Sequence, residues 1–213
     1  MRVAASGSSI PQLEICLNMQ RSVFSTPIIT PALRFFSNCW LKSKGWQVQA
    51  QSLPAPPFIF IGAPHTSNWD FLLLMVAVFH LRMDIRWMGK HTLFPPLLGT
   101  VMLWFGGIPV NRTKAYNMVD KMVTMLAKNP QTILCVSPEG TRAKVSQWKP
   151  GFYRIAEKAG VPILMAAIDA ENKQLRIIGE FKATGDLDQD MIAIRKHYQG
   201  FKGLNPENSS TNP

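Results

Sequence analysis

The segment FIFIGAPHTSNWD, residues 58–70, joins a short apolar run to a polar turn, and a second apolar run, residues 71–81, follows it. The first run predicts a buried strand, and the second predicts a buried helix that begins near Ser67 or Asn68. In α/β proteins, the loop that leaves a buried strand commonly carries the chemistry. The segment therefore predicts a strand, a tight turn that contains His65, and a helix with Asp70 in its first turn.

His65 and Asp70 form a candidate catalytic pair. Imidazole can accept a proton near neutral pH. A carboxylate on its other ring nitrogen fixes the tautomer and stabilises the imidazolium, and the helix dipole favours a carboxylate at this position. Such a base can activate a substrate hydroxyl, so no protein nucleophile is required. The alternative is purely structural: Ser67 or Asn68 caps the helix, Asp70 belongs to the cap, and His65 is a turn histidine.

Composition and charge narrow the class of protein. The chain has 213 residues, of which 46% are hydrophobic, and this suits one domain with its own core. The excess of 23 Lys and Arg over 13 Asp and Glu gives a net charge of +10, which favours phosphates, acidic membrane surfaces or nucleic acid as partners. The three cysteines, Cys16, Cys39 and Cys135, match no zinc spacing and suit a reducing cytosol better than a disulfide framework. We expect no secretory signal, because the start of the sequence is polar.

The chain divides into four predicted regions. Residues 1–25 are predicted to be disordered, and residues 26–50 to contain an amphipathic helix with an aromatic side and only positive charges. Such a helix suits a membrane interface, although it can equally pack its apolar face on the domain. Residues 55–200 are predicted to form the main domain, and residues 201–213 a disordered tail.

One uncharged stretch, residues 92–110, approaches the length of a membrane span. A proline pair, Pro95-Pro96, and a glycine pair, Gly106-Gly107, interrupt it. We therefore expect short pieces that are buried in the fold or rest on lipid.

Strand and helix patterns alternate along the rest of the chain. Strands are predicted at 85–88, 108–110, 132–136, 163–168 and 175–179, and helices at 116–128, 151–159 and 187–198. This alternation predicts a single α/β domain with a mostly parallel mixed sheet flanked by helices. His65 with Asp70, Arg112, and Glu139 with Arg142 each follow a predicted strand. Because loops after parallel strands meet at one edge of the sheet, we expect these side chains to converge.

Four motifs occur in order along the chain. They are His-x-x-x-x-Asp at residues 65–70, Gly-x-Ile-x-Val-x-Arg at 106–112, Pro-Glu-Gly-Thr-Arg at 138–142 and Val-Pro-Ile at 161–163. A lysine, Lys90, lies between the first two. In this order and spacing, residues 55–170 resemble the glycerolipid acyltransferases, the family that includes 1-acylglycerol-3-phosphate acyltransferase. The resemblance implies a glycerol-3-phosphate acyltransferase-like fold and makes residues 55–200 the acyltransferase domain.

The resemblance also implies a reaction. A fatty acyl group would pass from acyl-CoA or acyl-carrier protein to the hydroxyl of a lysophospholipid such as 1-acylglycerol 3-phosphate, with His65 as general base and Asp70 as its partner. An acceptor phosphate site would be formed by Lys90, Arg112, Glu139, Gly140, Thr141 and Arg142. Guanidinium groups suit phosphate because they bind it in a bidentate manner. Backbone N–H groups near Gly140 are candidate donors to the oxyanion.

We expect no metal and no cofactor beyond the acyl donor. The expected partners are the acyl donor, a lysophospholipid and a membrane surface, bound peripherally on its cytoplasmic face, with no nucleic acid. The acceptor stays open among glycerol 3-phosphate, 1-acylglycerol 3-phosphate and other lysolipids. Two other classes of function stay open as well: a basic module that binds lipid or nucleic acid without activity, and a thioester hydrolase that uses water bound at His65.

Overall fold

A buried strand at residues 58–63 forms the middle of the sheet, as its apolar sequence predicts. The structure, a computed structural model, describes residues 22–50, 52–111 and 117–210. The strands are β1 Gln47–Gln49, β2 Phe58–Ala63, β3 Ile85–Lys90, β4 Gly107–Val110, β5 Ile133–Val136, β6 Ile163–Asp169 and β7 Gln174–Phe181. The α-helices are α1 Ile29–Lys44, α2 Trp69–His80, α3 Pro96–Trp104, α4 Met118–Lys128, α5 Gly151–Ala159 and α6 Leu187–Lys196.

All seven described strands belong to one sheet, in the order β1-β7-β6-β2-β5-β3-β4. Every neighbouring pair is parallel except β6 and β7. The predicted α/β class with a mostly parallel mixed sheet is therefore confirmed. The polar strand β1 was not predicted, because its sequence, Gln-Val-Gln, carries almost no apolar signal.

The sheet is covered by helices on both faces, and β2 shows why. Its side chains alternate: Ile59 and Ile61 face a core built with α4, α5 and α6, whereas Phe58 and Phe60 face a second core built with α2 and the segments before and after it. A strand that is buried on both faces reads as an uninterrupted apolar run. The amphipathic helix α1 packs on the α2 side of the sheet.

The motif at residues 106–112 begins with a structural requirement. Gly106 has φ +84, and a Cβ there would collide with the backbone carbonyl oxygen of Ile85. Glycine is the residue that meets both conditions. The pair Gly106-Gly107 thus lets β4 lie beside β3. Because the two strands run parallel, both end at the same edge of the sheet.

The uncharged stretch 92–110 forms short pieces, as expected: the end of a 3₁₀ turn at His91–Leu93, then α3 and β4. No helix in the described part of the chain is long and apolar enough to cross a membrane.

The two ends of the described chain are more ordered than their sequences suggest. Residues 1–21 of the predicted disordered start lie outside the described residues, but Ser22 begins a capped 3₁₀ turn, Val23–Ser25, in which Val23 is buried. The predicted disordered tail differs more. Residues 201–210 pack against the domain and include a 3₁₀ turn, Pro206–Asn208, while 211–213 lie outside the description. This packing rests on contacts with residues far away in sequence, which no local pattern reveals.

Candidate active site

The turn after β2 brings His65 and Asp70 together. Asp70 lies in the first turn of α2, and its Oδ2 is 3.1 Å from His65 Nδ1. The same oxygen accepts the backbone N–H groups of Thr66 at 2.6 Å and Ser67 at 2.7 Å. The turn is therefore wrapped around one carboxylate oxygen, which holds the imidazole by Nδ1 and fixes its orientation.

The residues at the start of α2 make few of the side-chain bonds that simple capping would give. Asn68 is the N-cap of α2 but makes no side-chain capping bond, and the Ser67 hydroxyl accepts only the Trp69 N–H, at 3.2 Å. The Asp70 side chain is 2% exposed and the His65 side chain 25% exposed. Asp70 is thus shielded from water, while the imidazole reaches the surface, where Nε2 can meet a substrate proton.

Glu139 lies beside His65, although the sequence analysis assigned it to a phosphate site. The residue is 1% exposed, and its Oε2 accepts the backbone N–H of His65 at 2.6 Å. Burial raises the pKa of Glu139 to about 7, against smaller lowering effects from the His65 N–H and from Ser210 beside it. In the described chain, no ion pair joins Glu139 to Arg142. The Glu139 carboxyl group therefore braces the turn after β2, and a part for it in binding phosphate stays a prediction.

The rest of the Pro-Glu-Gly-Thr-Arg motif forms a tight turn after β5. The Gly140 N–H donates to the Ser137 carbonyl oxygen at 3.2 Å, so in this structure the turn itself uses this donor, and a part for it in binding the oxyanion stays a prediction. The Thr141 hydroxyl accepts the Ala143 N–H at 3.4 Å, and the Arg142 side chain is exposed. These residues lie at the sheet edge, and the positively charged Arg142 is exposed to solvent.

Lys149 is a further cation in contact with the Pro-Glu-Gly-Thr-Arg motif. Its Cδ lies 3.0 Å from the point that a Cβ on Gly140 would occupy, and its backbone N–H donates to the Pro138 carbonyl oxygen at 2.8 Å. Its side chain thus lies against Gly140, and it adds a second cation to the loop that contains Arg142. The only signal in the sequence is a lysine shortly after the motif and two residues before the start of α5.

Strand order explains how the remaining predicted residues relate to this site. The strands β2, β5, β3 and β4 are consecutive neighbours and run parallel. Trp87 of β3 pairs with Cys135 of β5, which in turn pairs with Phe60 of β2. The exposed Lys90, at the end of β3, therefore lies at the same edge as His65 and Glu139. Arg112, which follows β4, lies outside the described residues.

The fourth motif supports the sheet. Ile163 begins β6, and the Pro162 carbonyl oxygen accepts the N–H of Ile59 at 2.9 Å. This bond joins the start of β6 to β2, the strand that leads into the turn with His65. Among the residues that the structure describes, no cluster of three or more His, Cys, Asp or Glu side chains is arranged to hold a metal ion.

The comparisons with known proteins agree with this architecture. The crystal structure of the 1-acyl-sn-glycerophosphate (LPA) acyltransferase PlsC from Thermotoga maritima has a similar fold, with a TM-score of 0.55 and 18% sequence identity over 85% of this chain and 80% of that chain. At this identity the likeness concerns the fold. No curated protein sequence matches the chain significantly. The Acyltransferase family model matches residues 46–169, which are more than half of the chain and include the pair His65 and Asp70. The chain therefore belongs to the Acyltransferase family.

Proposed function

We propose that this acyltransferase moves a fatty acyl group from acyl-CoA or acyl-carrier protein to the hydroxyl of a lysophospholipid of the 1-acylglycerol 3-phosphate type. The observation that carries the proposal is the His65–Asp70 dyad, with Nδ1 held at 3.1 Å by a buried carboxylate while the ring reaches the surface. The family supplies the reaction type, and the cations at the sheet edge suit a phosphate-bearing acceptor.

The proposed chemistry needs one base. Nε2 of His65 removes the proton from the acceptor hydroxyl, whose oxygen attacks the thioester carbonyl carbon. The C=O electron pair moves to oxygen, and its return expels the thiolate and leaves the new ester. The imidazolium then gives its proton to the thiolate. A thiol has a pKa of about 8.5, so the leaving group departs without strong acid assistance. Asp70 stabilises the imidazolium through Nδ1 during the step.

The acceptor phosphate would be held by Arg142, Lys149 and Lys90, with Arg112 as a further predicted contact. The support is their position: Lys90 ends β3, and Arg142 and Lys149 belong to the loop that follows β5. One guanidinium group can donate two hydrogen bonds to a phosphate at once, whereas an ammonium group binds it as a compact point charge. An acceptor that carries a phosphate monoester should therefore be preferred over one without it.

We further propose that the protein works on a membrane surface, bound peripherally on the cytoplasmic face. Of twelve large apolar side chains exposed among the described residues, ten lie on or next to α1, α2 and α3. They include Phe35 and Phe36, each 64% exposed, Leu97, 92% exposed, and Trp69, 68% exposed and adjacent to Asp70. Aromatic and aliphatic side chains of this kind insert at the boundary of headgroups and acyl chains. An insoluble acceptor would then reach His65 from the lipid side.

The test combines purified protein, labelled acyl-CoA or acyl-carrier protein, and a panel of lysolipids with and without a phosphate monoester, followed by mass spectrometry. We expect His65→Ala to abolish transfer and leave vesicle binding intact. His80→Ala is the matched control, because His80 is an exposed imidazole at the other end of α2 that contacts Asn38. Full turnover in His65→Ala would refute the proposal. Fatty acid released at one rate with or without acceptor would instead identify a thioester hydrolase.

A further inference from the structure

The segment 201–210, which we call the C-terminal strap, lies outside the residues matched by the family model and contacts the catalytic turn directly. The backbone N–H of Asn205 donates to the Thr66 hydroxyl oxygen at 3.0 Å, and its side-chain amide donates to the Thr66 carbonyl oxygen, also at 3.0 Å. Thr66 is 2% exposed. Both oxygens of the residue that follows His65 are therefore bound by one strap residue.

The strap also packs against this turn without any gap. A Cβ on Gly203 would lie 2.6 Å from the Thr66 hydroxyl oxygen and 3.1 Å from Pro64 Cγ. Both distances are too short for ordinary contacts, so only glycine fits at this point of the strap. The strap is anchored before this contact by a bond from the Ala170 N–H to the Lys202 carbonyl oxygen, at 2.9 Å.

The far end of the strap reaches the loop after β5. Ser210 is 1% exposed, and its hydroxyl oxygen accepts the backbone N–H of Val145 at 2.9 Å. Ser210 also lies beside Glu139, whose carboxylate accepts the N–H of His65. The strap thus joins two loops. The loop after β2 contains His65, and the loop after β5 contains Glu139, which accepts the backbone N–H of His65.

We propose that the C-terminal strap positions the catalytic dyad, with Asn205 as a positioning residue that acts through Thr66. The chain of contacts is continuous. Asn205 holds both oxygens of Thr66, and the Thr66 N–H donates at 2.6 Å to the Asp70 oxygen that holds His65 Nδ1. Asn205 touches no reacting atom, so its removal should loosen the orientation of the imidazole and leave the substrate sites in place. The inference rests on the proposed role of His65 as the base.

The test uses the full chain with three substitutions. Asn205→Ala removes the side-chain bond to Thr66, and Asn205→Asp keeps the shape but turns a donor into an acceptor that faces a carbonyl oxygen. Lys202→Ala is the matched control, since Lys202 lies in the same strap and makes only an exposed ion pair with Glu171 through its side chain. We expect both Asn205 variants to lower kcat about tenfold while the KM of each substrate changes less than about twofold. Lys202→Ala should behave as the wild type.

A second readout does not depend on turnover. The proton on His65 Nδ1, hydrogen-bonded to Asp70, should give a downfield proton NMR signal in the wild type and in Lys202→Ala, and this signal should be lost or broadened in both Asn205 variants. Asn205 variants that melt as the wild type does, with wild-type kcat and an unchanged signal, would overturn the strap proposal. The proposed function fails differently, through activity retained in His65→Ala, whatever the NMR signal shows.

Discussion

At the scale of single residues, the site depends on two buried carboxylates with different tasks. Asp70 concentrates three hydrogen bonds on one oxygen, from His65 Nδ1 and the N–H groups of Thr66 and Ser67. Glu139, in the loop after the neighbouring strand β5, accepts a hydrogen bond from the backbone N–H of His65. Asp70 therefore fixes the ring, and Glu139 fixes the chain that carries it.

Glu139 leads to a prediction about pH. Burial raises its pKa from 4.5 to about 7, so between these values the folded protein keeps a proton that the unfolded chain releases. Because the native state then binds more protons, the free energy of unfolding falls as pH rises from about 4.5 to about 7, and above about 7 this group adds no further change. The accumulated loss is about 3 kcal/mol. Glu139→Gln keeps an acceptor for the His65 N–H but cannot ionise.

Urea unfolding of the wild type and Glu139→Gln between about pH 5 and about pH 8 checks this prediction. The variant should gain stability relative to the wild type as pH rises. Parallel stability curves for the two proteins would contradict it.

At the scale of elements, α1, α2 and α3 differ from the helices on the other face. They pack on the same side of the sheet as Phe58 and Phe60 and leave apolar side chains exposed, whereas of α4, α5 and α6 only α6 exposes a large one, Ile192. Of the two acidic residues between positions 22 and 105, Asp70 is buried at the dyad and Asp84 pairs with Arg86 at 2.6 Å. The helices α1, α2 and α3 together therefore combine exposed apolar side chains with cations, and between positions 22 and 105 the described residues include no exposed acid without a cation beside it.

We predict that these helices carry the binding of the protein to lipid. A Phe35→Ser, Phe36→Ser double variant should weaken binding to vesicles of phosphatidylcholine and phosphatidylglycerol at least tenfold, since each inserted ring contributes about 1.5–3 kcal/mol. Ile192→Ser on α6 is the control, because Ile192 is 63% exposed on the opposite side. Vesicle co-sedimentation measures both. Equal loss in the two variants would contradict a specific lipid-binding side.

At the scale of the whole molecule, two large cores and a smaller third one hold the helices on a sheet whose parallel strands end at one edge. The net charge of +10 adds a long-range attraction to anionic surfaces. In the proposed membrane-bound state, the exposed apolar side chains of α1, α2 and α3 would set the orientation of the protein, and its net charge would affect how strongly it binds an anionic surface.

We predict that vesicle binding weakens with salt. The Debye length is about 10 Å at about 0.1 M, and each Lys or Arg near an anionic surface contributes about 1 kcal/mol. Binding to vesicles with phosphatidylglycerol should fall severalfold as salt rises and approach the weaker level seen with phosphatidylcholine alone, as measured by co-sedimentation over a salt series. Tight, salt-dependent binding to nucleic acid without thioester consumption would favour the basic-module alternative.

Local sequence was sufficient for the strand, turn and helix around His65 and Asp70, because apolar period, turn residues and helix starts act over a few positions. The order of motifs likewise located the loop after β5. Sequence did not reveal the roles of Glu139 and Asn205. Glu139 meets His65 across 74 positions and Asn205 meets Thr66 across 139. Such contacts exist only once β5 lies beside β2 and the strap has folded back, so the packing of distant segments determined which groups brace the dyad.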